Sequence, residues 1–249
     1  MRDRGAWSPG PRPGGGAAFF WSCHSVSRMP GDAVLNSAES SRARRYELFL
    51  WDFDGTLAHS WPQGLQVFNE IAARRGFTPI TDPQAVRRMG PREFLRQHRI
   101  RLWHIAGLVR DWQRGMAAYM SEVELFPGIP EALQTLQQAG VRHGILSSNT
   151  VDNIRCCLRS RGIEEMFEVI QSAPRLSGKG RALRRLLKER GADPGRVVYI
   201  GDETRDVLAA RKAGVSSGAV GWGLHPLDHL AVHAPTHLIA TTDALPLLG

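Results

Sequence analysis

Apolar residues along this chain recur with two different spacings, and glycines mark the points where one gives way to the other. Short runs rich in β-branched and aromatic residues at 46–51, 141–147, 169–171, 197–201, 219–221 and 236–239 read as strands. Between them lie helical patterns at 130–139, 150–161, 180–190 and 204–213, closed by Gly140, Gly162, Gly191 and Gly214, the first opening on Pro130. Proline suits a helix start because its missing N–H would be unpaired there anyway, and glycine suits the left-handed residue after the last turn. Strands alternating with helices predict a doubly wound, Rossmann-like parallel sheet of the α/β class.

The alternation stops between Leu57 and Phe126. Leu65, Phe68, Ile71 and Ala72 share one helical face, and Phe94, Leu95, Leu102, Ile105, Leu108, Val109 and Trp112 continue at helical spacing without a strand. This predicts an all-helical insertion at 59–125, placed directly after the first strand of a core formed by 45–58 and 126–249. Residues 1–44 follow neither pattern. The Pro- and Gly-rich stretch from Ser8 to Gly16 cannot build a packed element, so the segment is expected to be disordered, or non-native if translation starts at Met29. Its prolines and glycines spoil an amphipathic transit peptide, and Phe19-Phe20-Trp21 is too short for a secretory core.

Composition changes this picture little. With 249 residues, 42% hydrophobic and 22% charged, the chain can bury a sizeable core. No apolar run approaches the ~20 residues that span a bilayer, so no membrane role is expected. Three cysteines, two of them adjacent, make neither a disulfide framework nor a Cys-x-x-Cys zinc site, and they point to a reducing cytoplasm. The formal charge of +8 invites a nucleic-acid partner, yet residues 1–45 carry a net +4 of it. The remainder suits a site that attracts small phosphorylated metabolites through its field.

The chemistry concentrates at strand ends. Leu48-Phe49-Leu50-Trp51 runs into Asp52-Phe53-Asp54-Gly55-Thr56, and in open α/β sheets ligands bind just beyond the carboxyl ends of strands. Alternate residues of an extended chain face the same way. One carboxylate can therefore attack phosphorus while the other handles the leaving-group proton, and both can face a divalent cation. Ser147-Ser148-Asn149 follows the second strand, Lys179 opens a helical run, and Gly201-Asp202-Glu203-Thr204-Arg205-Asp206 follows the fourth. His225, His229, His233 and His237 are spaced by four, but Pro226 and Pro235 break any continuous helix face, so no metal site is read there.

These four segments, in this order from Tyr46 to the end, resemble the motifs of the haloacid dehalogenase superfamily, in its phosphoglycolate phosphatase-like branch. The acid at Asp54 favours phosphoryl transfer over carbon–halogen cleavage. The resemblance implies that Asp52 is the nucleophile and Asp54 the acid and base. Ser147 would bond a phosphoryl oxygen, with Ser148 or Asn149 adding a backbone N–H, and Lys179 would neutralise charge. Magnesium would be held by Asp52, Asp202, Asp206 and the Asp54 carbonyl, with Glu203 able to substitute in part. The insertion resembles the superfamily's helical cap, and Arg92, after Gly90-Pro91, resembles a cap residue that contacts substrate. His59 departs from the branch, which usually has aspartate there, and Trp222-Gly223-Leu224 reads as structural. The implied activity is magnesium-dependent hydrolysis of a phosphomonoester through an aspartyl-phosphate, phosphoglycolate being the leading substrate. A phosphomutase would use the same motifs, and a non-catalytic nucleic-acid-binding protein that keeps the fold would draw on the basic tail alone. Oligomeric state is not legible.

Overall fold

A computed structural model describes residues 46–173 and 178–249. The expectations for residues 1–44 lie outside that range.

Six strands form one sheet: β1 (Leu48–Trp51), β2 (Arg142–Ser147), β3 (Phe167–Ser172), β4 (Val197–Gly201), β5 (Ser216–Val220) and β6 (His237–Ile239). Their spatial order is β3-β2-β1-β4-β5-β6, and every neighbouring pair is parallel. β1 is buried along its whole length because it is central and covered on both faces, which explains why it reads as an unbroken apolar run rather than an alternation. Phe49 and Trp51 pack into one core with Val198 and Ile200, while Leu48 and Leu50 pack into the other with Val197 and Tyr199.

Helices cover the two faces: α5 (Ile129–Gln138), α6 (Val151–Ser160), α7 (Lys179–Arg190), α8 (Thr204–Ala213) and the short α9 (Leu227–Ala231). β5 begins three residues before the strand read from sequence. Ser216, Ser217 and Gly218 are weak strand formers, but pairing with Val198, Tyr199 and Ile200 of β4 holds them extended.

Between β1 and β2 the chain makes an all-helical cap. Its helices are α1 (Trp61–Arg75), α2 (Pro83–Val86), α3 (Pro91–Gln97) and α4 (Ile105–Ala117). An antiparallel bridge between Ala58 and Leu125 clamps the outgoing and returning strands of the insertion. α1 lies close against α4, since a Cβ on Gly115 would stand 2.5 Å from Val67 Cγ1. Val67, Phe68, Ile71 and Met116 belong to the same core as Phe49 and Trp51, so the cap is apolar-continuous with one sheet face. No helix among the described residues is long and apolar enough to cross a membrane.

Candidate active site

The strand order reverses at β1: β2 and β3 extend to one side of it, β4 to β6 to the other. At such a switch point the connections leave in opposite directions and open a crevice beyond the strand ends. The residues that follow β1 and β4 are Asp52 and Asp202, and the two segments stay in register beyond the ladder because Asp52 N–H donates to Ile200 carbonyl at 2.8 Å.

Three carboxylates, Asp52, Asp202 and Asp206, converge there, with one oxygen of each lying within 4.8 Å of the others. All three are buried. Lys179, at the first position of α7, donates to Asp52 Oδ2 at 2.7 Å and to Asp206 Oδ1 at 2.6 Å. Asp52 Oδ1 accepts from the Phe53 N–H at 2.8 Å. Asp202 is fixed from two sides, Oδ1 accepting from Thr56 Oγ1 at 3.0 Å and Oδ2 from the Leu224 N–H at 2.7 Å. Asp206 caps its own helix, taking the Glu203 N–H at 3.0 Å. Backbone walls the cluster: at Gly55, where φ is +77°, a Cβ would stand 2.1 Å from Asp202 Oδ2, and at Gly223 one would stand 2.2 Å from Asp202 Cβ. Only glycine fits either place.

Two cations, Lys179 and the nearby Arg205 that pairs with Glu203, do not balance Glu203 and three buried carboxylates. Burial pushes Asp202 well above the usual carboxylate range, and Glu203, Asp206 and Asp52 add to the rise. Burial likewise raises Asp206, to about 6, against the opposing pull of Lys179. Burial works to lower the Lys179 pKa, yet Asp206 and Asp52 outweigh it and the ammonium is held charged. An all-oxygen set carrying this much uncompensated negative charge fits a hard divalent cation such as magnesium.

Residues 49–220 match the family described as haloacid dehalogenase-like hydrolase. The chain belongs to that family. It is 35% identical over 201 residues to a phosphoglycolate phosphatase of Synechococcus elongatus, covering 80% of this chain and 95% of that one. It is also 30% identical over 222 residues to the tyrosine-protein kinase PtkA of Mycobacterium tuberculosis, covering 83% of this chain and 73% of the relative. Among solved structures, a haloacid dehalogenase-like hydrolase of Streptococcus pneumoniae superposes with a TM-score of 0.70 at 23% identity, covering 82% of this chain and 99% of that one. The named reactions of these relatives differ.

Within this hydrolase fold, Asp54 stands beside the carboxylate cluster rather than inside it. Its Oδ1 accepts from Ser60 Oγ at 2.7 Å and its Oδ2 from Asn149 Nδ2 at 3.0 Å. Ser147 ends β2, buried, with its Oγ taking the Asn149 N–H at 3.3 Å. That N–H is therefore engaged within the loop, and α6 is capped one residue later by Thr150, whose hydroxyl takes the Asn153 N–H. Ser148 lies half-buried, its carbonyl accepting from Gln113 Nε2 of α4 at 3.2 Å. Arg92 is exposed on α3. The cap arginine that reaches the core loop is Arg87, whose guanidinium donates to the Gly223 carbonyl at 2.7 Å and to the Leu224 carbonyl at 2.9 Å. The sequence reads that loop as structural, and in the fold its Leu224 N–H holds Asp202. His59 is exposed and stacks on Phe126 with ring centroids 4.9 Å apart, at the root of the cap.

Sequence reasoning passed over Thr56, Ser60 and Arg87 as site residues. Thr56, in the turn after Asp54, and Ser60, just before α1, sit within six residues of Asp54 and carry hydroxyls, a signal that local reading can use. Arg87 contacts carbonyls more than 130 residues away, and nothing local marks it. The spaced histidines do come together in part, with the rings of His225 and His229 4.7 Å apart and those of His229 and His233 6.2 Å apart. His225 Nδ1 accepts from the Thr204 N–H, and among the described residues only the three aspartates meet as a metal-holding group.

Proposed function

We propose that this chain hydrolyses a small phosphomonoester in two displacements through Asp52, with phosphoglycolate the leading substrate. The observation that supports this reading most is the Asp52 carboxylate at the switch point, flanked by Lys179 and two further carboxylates and adjacent to Asp54. The relative named phosphoglycolate phosphatase supports the choice of substrate.

In the first displacement an oxygen of Asp52 attacks phosphorus, the bond from phosphorus to the alkoxide oxygen breaks, and Asp54 gives that oxygen its proton. In the second, Asp54 takes a proton from water as the water oxygen attacks phosphorus. The bond to Asp52 then breaks, and inorganic phosphate leaves. Lys179 donates toward the phosphoryl oxygens and to Asp52 Oδ2. Ser147 bonds a phosphoryl oxygen, Ser148 and Asn149 line the same side, and exposed Arg92 offers its planar fork to an anionic leaving group. Asp52, Asp202, Asp206 and the Asp54 carbonyl would hold magnesium, which would supply charge neutralisation on the transferring group. The cap excludes water during the first displacement and selects the leaving group.

The test is release of inorganic phosphate from a panel of phosphomonoesters including phosphoglycolate, with and without magnesium, for wild type and Asp52→Asn. Magnesium-dependent release that is lost in the variant is expected. Accumulation of an isomeric phosphorylated product in place of phosphate would move the reading to a mutase, and no turnover of any compound would end it.

A further inference from the structure

The side chain of Asn149 can hold Asp54 only if its amide is turned the right way round. Its Nδ2 must face the carboxylate and its Oδ1 must face away, and rotation of the amide by half a turn would present one acceptor to another. Two donors fix the choice, the Thr150 N–H at 2.8 Å and Asn153 Nδ2 at 3.0 Å, both directed at Asn149 Oδ1. Asn153 is itself buried. Its Nδ2 has a second proton, and this one goes to the main-chain carbonyl of Gln113, in cap helix α4, at 3.1 Å. Gln113 answers by donating from its side chain to the Ser148 carbonyl at 3.2 Å.

A continuous set of hydrogen bonds thus runs from a cap helix through Asn153 and Asn149 to Asp54. The geometry points to Asn153 as a positioning residue that aligns Asp54 for proton transfer when α4 is seated on the core. The inference rests on the phosphatase reading and adds to it a device by which the acid and base is set in the capped site. With the cap lifted, the Gln113 carbonyl withdraws from Asn153, and one of the two restraints that orient the Asn149 amide loses its anchor.

Such a role predicts a loss that depends on the leaving group. The ratio kcat/KM reports only the steps through departure of the alcohol. An alkyl phosphate needs a proton delivered in that step, whereas p-nitrophenolate leaves without one. Asn153→Ala should lower kcat/KM for an alkyl phosphate such as phosphoglycolate by about tenfold, a fraction of the 10²–10⁴ that general acid catalysis supplies. For p-nitrophenyl phosphate the loss should be about twofold. Asn153→Asp keeps the shape but replaces the donor with an acceptor, so it should show the same selective loss, and a thermal melt of both variants separates that loss from a folding defect. Equal losses on both substrates, or none, would overturn the positioning role.

The second readout needs no turnover. Amide hydrogen exchange in α4 should quicken in Asn153→Asp if this side chain ties the cap to the core, and unchanged exchange would overturn that link. Wild-type protein inert toward both substrates would instead end the phosphatase reading, and the positioning role with it, which the exchange result would not rescue.

Discussion

Two buried polar groups lie on the same sheet, one in its interior and one at its carboxyl edge, and they are built on opposite rules. In the interior, His143 of β2 accepts from Trp51 Nε1 at its Nδ1, 3.3 Å away, and its Nε2 donates to the Leu133 carbonyl of α5 at 3.1 Å. Each ring nitrogen has one partner of the right kind for the neutral tautomer. Burial holds its pKa down to about 4, and a proton on Nδ1 would face the indole N–H. At the edge, Asp52, Asp202, Asp206 and Glu203 outnumber Lys179 and Arg205, with like charges left facing each other. Burial alone therefore does not mark a functional site. What separates the two is whether the polar group is balanced by what already surrounds it.

The sharpest break in this comparison comes from the edge. Asp52→Asn should lower turnover by at least about 10³, since it removes the attacking oxygen's charge, while the fold persists. Steady-state phosphate release beside a thermal melt measures both. A loss of turnover with a collapsed melt would mean the cluster is structural after all.

Metal should settle the edge and leave the interior untouched. Addition of magnesium at about 100 times its dissociation constant is expected to raise stability by roughly 2.7 kcal/mol. At one fixed magnesium concentration the rise should be larger at pH 7.5 than at pH 5. Asp206 has its pKa raised to about 6, so in the metal-free protein its contribution to stability is present at low pH and is lost as pH rises through about 6. A chelator should reverse the effect, and equal shifts in melting temperature at the two pH values would contradict the assignment.

The interior has the reverse signature. His143 stays neutral when folded but takes a proton near pH 6.5 when unfolded, so its contribution is full above about 6.5 and declines as pH falls toward 4. The loss at pH 5 is about 2 kcal/mol. Urea unfolding of wild type and His143→Gln at pH 5 and 7.5 reads it: the variant should lose less stability on acidification than wild type. Identical slopes would show that His143 does not differ between the folded and unfolded states.

The smallest expected effect belongs to the cap surface. Arg92→Ala should raise KM for phosphoglycolate by a few-fold, as removal of one exposed charge contact does, with kcat nearly unchanged. An unchanged KM would show that Arg92 is only solvated and would turn attention to Arg87.

Most of the fold was legible because its signals are local. The run before Asp52, the helices closed by glycine and the missing strands between Leu57 and Phe126 all follow from spacing, and they yield the sheet and its cap. The start of β5 is not legible, because Ser216, Ser217 and Gly218 owe their strand to β4 rather than to their own preferences. The site divides in the same way. Asp52, Asp54, Asp202 and Asp206 lie in strings that carry their own pattern, and Lys179 is legible only by its place in the order of the motifs. The contact of Arg87 with the 223–224 loop and the path from Gln113 to Asp54 arise only when distant segments meet, so no window of sequence contains them.

The central claim is that the carboxylate at the end of β1 carries the phosphoryl group. Acid quench of a single turnover with a ³²P-labelled phosphomonoester and magnesium, followed by peptide mapping, tests it most directly. Hydroxylamine-labile label is expected on the peptide that contains Asp52 and is absent in Asp52→Asn. Turnover with no label on that peptide, or with stable label on Ser147, would contradict it.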